Sequence, residues 1–309
     1  MEQELYRSRN VSKCVKAAYT LFNTNFKHIF KKLWLPFLVL SMLLAWNLKI
    51  YFQSLAFPYG ELQPDAFTFV IYGVGGIMSL VVYVWVMANV FNLLNAQGIK
   101  ANVIKLLKIM VVYLALVVLI SIIMGIIVAG LLFYFKPEDT TQGLMNSAVL
   151  LKVLAICFLL MVVIILLIIP IYYAFMQFMI EDGKLRSTFF PAVKTGFKHW
   201  GFLFVVLFVL GLIMSIFISV MMMPVFILTI SQVSSMKSMA MGDPSGLPAY
   251  FSWLYFITFV ALYSITMFLV TWGIFVLYYA YGSIKRNEMD RELQKKELTS
   301  DTSNYTTSL

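Results

Sequence analysis

The chain has 309 residues, of which 61% are hydrophobic and only 12% charged. A soluble domain is roughly half apolar and a quarter charged, so this composition excludes an ordinary soluble fold and points to an integral membrane protein. A net charge of +9 would suit nucleic acid, but the basic residues fall in the polar stretches between apolar runs, so no nucleic-acid partner is expected.

Residues 1–32 form a basic leader. From Val11 to Phe30 apolar residues recur at helical spacing (Val15, Ala18, Phe22, Phe26, Ile29), with Lys13, Lys16, Lys27, Lys31 and Lys32 interleaved. Two readings stay open: a helix lying in the membrane interface, or one packed on the protein's own inner face. The first apolar run starts only at Leu33 and is about 20 residues long, which suits a span rather than a cleavable signal. Six spans are predicted, near 33–53, 67–92, 109–135, 149–180, 200–232 and 250–281. Pro170 and Pro224 mark kinks in the fourth and fifth, whereas Pro36 is expected in a first helical turn, where proline is tolerated. Outer loops are predicted at Gln53–Ala66, Lys136–Ser147 and Val233–Ala249, all rich in Pro, Gly or acidic residues. The tail after Tyr281 is a short helical extension that ends in a polar stretch expected to be disordered.

Of the 23 Lys and Arg residues, all but Lys49, Lys136, Lys152 and Lys237 fall on one side of this topology. That asymmetry predicts both termini on the cytoplasmic face of a plasma (cell inner) membrane. Anionic headgroups are the expected lipid partners at that face. The cysteines, Cys14 and Cys157, are too few for a disulfide framework and are expected to be free thiols.

The basic lead-in and span recur three times, beginning FKHIFKKLW at Phe26, ANVIKLLKIM at Ala101 and PAVKTGFKHW at Pro191. With Trp34, Met110 and Trp200 aligned, each copy carries a lysine two places earlier: Lys32, Lys108 and Lys198. These three are the candidate contacts to headgroups or a partner. Small residues follow at spacings of four: Ser41 and Ala45; Ser121, Gly125 and Ala129; Gly211, Ser215 and Ser219. Such faces let helix backbones approach closely, so helix packing is the expectation, with a ligand passage the lesser alternative. The fold predicted is all-α: six transmembrane helices in three tandem hairpins (about 1–95, 96–185 and 186–290), with basic amphipathic interfacial helices on the cytoplasmic side. They form one transmembrane domain over 1–290, with a polar tail at 291–309.

Chemistry is sparse. With two histidines, His28 and His199, neither a four-histidine iron site nor a three-histidine zinc site can form, and HExxH, CxxC, GxSxG and P-loop patterns are missing. No cofactor is expected. Gly73, Gly75 and Gly76 lie inside an apolar span and read as packing or a kink. Glu181, Asp182 and His199 are the nearest approach to a polar constellation and read first as a solvated surface. Met236, Met239 and Met241 form a soft-ligand run suited to Cu(I), although methionine is more often an apolar gap-filler.

The lead-ins FKHIFKKLW and VKTGFKHWGF, set in a six-span hydropathy pattern, give the chain a resemblance over about Val11–Lys296. It resembles bacterial inner-membrane proteins similar to the membrane domain preceding the catalytic domain in some glycerophosphodiester phosphodiesterases. The resemblance implies the six-span fold; without the phosphodiesterase domain that activity does not carry over. The leading expectation is a non-enzymatic protein of envelope organisation or partner assembly, with a partner chain or a homo-oligomer. The alternative is transport or lipid handling through a cavity between hairpins.

Overall fold

Bilayer hydrocarbon offers backbone N–H and C=O groups no water, so a long apolar segment must satisfy them within a helix. The structure, a computed structural model, describes residues 5–55, 66–95, 97–134, 147–242 and 246–306, and no strand occurs among the described residues. The helices are α1 (Val11–Thr24), α2 (Phe26–Leu55), α3 (Ala66–Leu94), α4 (Ile99–Tyr134), α5 (Ser147–Ile180), α6 (Leu185–Lys198), α7 (Trp200–Ala240) and α8 (Phe251–Thr306). The protein is all-α, and six helices, α2, α3, α4, α5, α7 and α8, are long and apolar enough to cross a membrane.

Several boundaries differ from the sequence expectation. The first lead-in divides at Asn25, and its second half is already the start of α2. Pro36 therefore lies in a helix interior rather than in a first turn. The second lead-in is continuous with its span in α4. Val233–Ala240, expected as loop, completes α7. The helical extension expected after Tyr281 is part of α8, which runs on to Thr306. Residues 56–65, 136–146 and 243–245 of the expected outer loops lie outside the described residues.

The chain forms two compact units, Met1–Val103 with Val205–Leu309, and Ile104–Phe204. In the first, α2 packs on α3 and α8, and α1 packs on α8. Leu33, Phe37 and Leu40 of α2, Phe91 of α3 and Phe275 of α8 are buried there. Phe37 meets Phe268 edge to face at 4.8 Å between centroids, a favoured geometry for ring quadrupoles. Polar contacts deep in these spans join them. Ser41 Oγ lies 2.9 Å from Ser264 Oγ, joining α2 to α8. Asn47 Nδ2 donates to Ser79 Oγ at 2.8 Å, joining α2 to α3. A Cβ added at Gly75 would meet Asn47 Oδ1, so the asparagine tip would have to turn aside.

The N-terminal segment straps onto α8. The Arg9 amide donates to Ser283 Oγ at 2.9 Å, and that hydroxyl donates back to the Arg9 carbonyl at 2.9 Å. Gly282 permits the approach, because a Cβ there would sit 2.4 Å from the Leu5 carbonyl oxygen. Asn10 then caps α1 through its side chain, which accepts from the Lys13 amide. Cys14 and Ala18, the small residues of α1, are its buried ones.

In the second unit, α6 folds back along α5. Proline has no N–H, so Pro170 deprives the Leu166 carbonyl of its helical donor. The Trp200 indole supplies a replacement: Nε1–H donates to the Leu166 carbonyl at 2.9 Å. Gly196 brings the backbones together, since a Cβ there would lie 2.5 Å from the Pro170 oxygen. Proline, indole and glycine thus form one joint.

Candidate functional site

The three aligned lysines occupy different surroundings. Lys32 is half-buried on α2, and its ammonium donates to Asn92 Oδ1 of α3. Asn92 passes the connection on, its Nδ2 donating to the Gln97 carbonyl at 2.7 Å in the α3–α4 turn. The same turn is held by Asn95 and the buried Asn102, whose side-chain amides pair at 2.9 Å. Lys108 is exposed on α4. Lys198 is exposed in the last turn of α6, where a cation suits the negative end of the helix dipole.

A fourth lysine, which the alignment passes over, is the most firmly held. Lys105 Nζ donates to the Glu181 carbonyl at 2.7 Å, an orphan acceptor just past the end of α5. It also lies 3.5 Å from Asp182 Oδ1 and 5.7 Å from the Phe178 ring centroid. Its side chain is 12% exposed whereas that of Asp182 is 89% exposed, so the carbonyl bond and the ring carry this contact more than the ion pair does. Glu181 also takes a bond from Gln177 Nε2 at 2.9 Å. His199 occupies the C-cap of α6. The one sequence signal for Lys105 is its place one helical turn before Lys108.

The small-residue faces divide by burial. Ser41 and Ala45 are buried, whereas Ser121, Gly125, Ala129, Gly211, Ser215 and Ser219 are not. No atom stands within 4 Å of a Cβ built at Gly125 or Gly211, beyond its own chain neighbours and helix backbone. Along the span of α4 the large side chains face outward, including Val111, Leu114 and Ile126, each about two-thirds exposed. Met236 packs beside Val225 and Tyr255, Met239 touches the Gly246 position, and Met241 is exposed. No group of three His, Cys, Asp or Glu side chains suited to a metal occurs among the described residues.

An apolar groove of about 630 Å³ runs between α1, α2, α7 and α8. Phe26, Phe30, Phe217, Phe268 and Trp272 form much of its wall. Phe30 and Phe268 stack there at 5.6 Å between centroids.

Helix content, span lengths and the apolar surface define a membrane-embedded α-helical protein with six candidate spans. Comparison with protein-family models, curated proteins and solved structures gives no match.

Proposed function

We propose that this protein acts by assembly, as a non-enzymatic organiser in a plasma membrane with both termini in the cytoplasm. The observation that carries the reading is α4. Its most apolar stretch is wholly unburied by the rest of the chain, yet it presents Ser121, Gly125 and Ala129 on one face. Without a hydrophobic force between helices in lipid, close packing through small residues is a main source of helix association. A second helix, from another copy or a partner chain, would complete that contact. The orientation follows from the placement of Lys and Arg, and Lys108 and Lys198 then meet anionic headgroups. The hairpin order and the interfacial lie of the lead-ins belong to this same reading.

The test is cysteine crosslinking in native membranes, in a Cys14→Ser, Cys157→Ser background. Gly125→Cys should give a crosslinked dimer or a defined adduct, and Ile126→Cys, one position round the helix, much less. Equal yields from both positions, or none, would refute assembly through this face.

The groove beside α1 favours a second reading, lipid handling, because its size and aromatic wall fit an acyl chain. Phe268→Trp should then quench on adding lipids with brominated chains at substoichiometric ratios. Quenching only in proportion to bulk lipid would mean ordinary solvation by the bilayer.

A further inference from the structure

A second cavity, of about 650 Å³, lies on the other side of α1, walled by the N-terminal strap, the end of α3 and α8. Four cations line it: Arg7, Arg9, Lys13 and Lys16. Among the described residues that line it, none is a carboxylate. We propose that this cavity binds a phosphate-bearing anion, gripped by these four side chains.

The cavity is built, not a chance gathering of surface lysines. The reciprocal bonds between Arg9 and Ser283 fix the strap, and Gly282 lets it lie close on α8. The Arg9 guanidinium is half-buried. Its Nη1 donates to the Leu5 carbonyl at 3.0 Å, and its carbon stands 4.8 Å from the Tyr279 ring centroid. A planar guanidinium held this way is already ordered, which lowers the ordering cost of binding an oxyanion. Arg7, Lys13 and Lys16 are exposed at the mouth, so the site opens to water and the anion can enter. The first turn of α1 carries no acidic residue to compete. Ser8 and Thr24 add neutral hydroxyls to the lining.

The chemistry favours phosphate over a carboxylate. Four cations on one anion exceed what a single negative charge neutralises, and Arg with Lys is the usual pairing for phosphoryl oxygens. The volume far exceeds inorganic phosphate, and Leu93, Leu94 and Tyr278 offer an apolar wall for the remainder of a larger molecule. The phosphoryl group can come from an anionic lipid headgroup or from a soluble phosphate compound. This inference does not depend on assembly through α4.

The experiment is native mass spectrometry on the full chain, released from detergent after delipidation. The probes are phosphatidylglycerol, phosphatidylcholine and inorganic pyrophosphate, each titrated separately. Saturable uptake of one phosphatidylglycerol, at least tenfold preferred over phosphatidylcholine, would support the site and assign a lipid headgroup. Uptake of pyrophosphate instead would support it and assign a soluble ligand. Lys13→Gln/Lys16→Gln changes only exposed side chains and should weaken the bound probe at least tenfold. Arg9→Gln should weaken it too, with melting temperature measured to show the strap still folded. Lys100→Gln/Lys194→Gln, outside the cavity, should leave binding unchanged. No probe bound above phosphatidylcholine, or equal losses in the cavity and control variants, would overturn the proposal.

Discussion

The joint between Pro170 and Trp200 can be tested by a double-mutant cycle. Trp200→Phe keeps an aromatic ring stacked on Phe204, now 5.3 Å away, but removes the only indole N–H at the Leu166 carbonyl. That carbonyl cannot turn back to its own helix, because the residue four places on is Pro170. Leaving a part-buried acceptor in an apolar span without a donor costs about 1–3 kcal/mol. Pro170→Ala supplies an amide at that place, so the Leu166 carbonyl regains a helical partner. In that background Trp200→Phe should cost less, by a coupling of roughly 1 kcal/mol or more. The smaller packing surface of Phe enters both arms and cancels. The assay is unfolding of the purified protein in mild detergent, followed by near-ultraviolet circular dichroism on four variants. Equal costs of Trp200→Phe in both backgrounds would refute the account of the joint.

Three further outcomes follow from the geometry. Gly282→Ala places a Cβ 2.4 Å from the Leu5 oxygen, so the strap should lift and trypsin should cut at Arg7 and Arg9 several-fold faster; an unchanged digest would contradict the strap. Burial pushes the Cys14 thiol up to about 11, against a partial lowering by Arg9. The thiolate is then scarce at pH 8, about one part in a thousand; maleimide should label Cys14 slowly and faster as pH rises toward 11, and rapid labelling at pH 8 would contradict its burial. Lys105→Met should destabilise the Ile104–Phe204 unit by about 1–2 kcal/mol through the lost charged bond to the Glu181 carbonyl, with little dependence on salt. Full rescue of Lys105→Met by removing Asp182 would instead make the ion pair the main contact.

The spans were legible because their lengths and apolar runs are set by bilayer thickness, a constraint that acts on each segment alone. What joins segments was not. The basic stripe and apolar stripe of Val11–Thr24 suit a lipid surface and a protein surface alike. Only Cys14 and Ala18, small residues on the buried face, hinted that a helix lay against it. The repeat aligned Trp34 with Trp200, yet Trp34 is 45% exposed while Trp200 donates to the Leu166 carbonyl that Pro170 leaves without a helical donor. Their neighbours in sequence match, but their surroundings do not. The spacing of Ser41 and Ala45 equals that of Ser121 and Gly125, although the first pair is buried and the second is not. Spacing records which residues share a face and carries no record of what lies opposite. Lys105 escaped notice for the same reason: its acceptor is 76 residues away.

The length of α8 has a mechanical consequence. Its 56 residues make a rod about 84 Å long at 1.5 Å per residue, while the hydrocarbon of a bilayer is only about 30 Å thick. From Lys285 onward the sequence is polar, and ion pairs such as Arg286 with Asp290 at 3.0 Å brace successive turns. If α8 crosses a bilayer, this polar part adds a rod of about 30 Å beyond the hydrocarbon. The strap's bonds to Ser283 sit where the apolar part of α8 gives way to its polar part. A partner fastened to that polar part would be carried on the same continuous helix as the span.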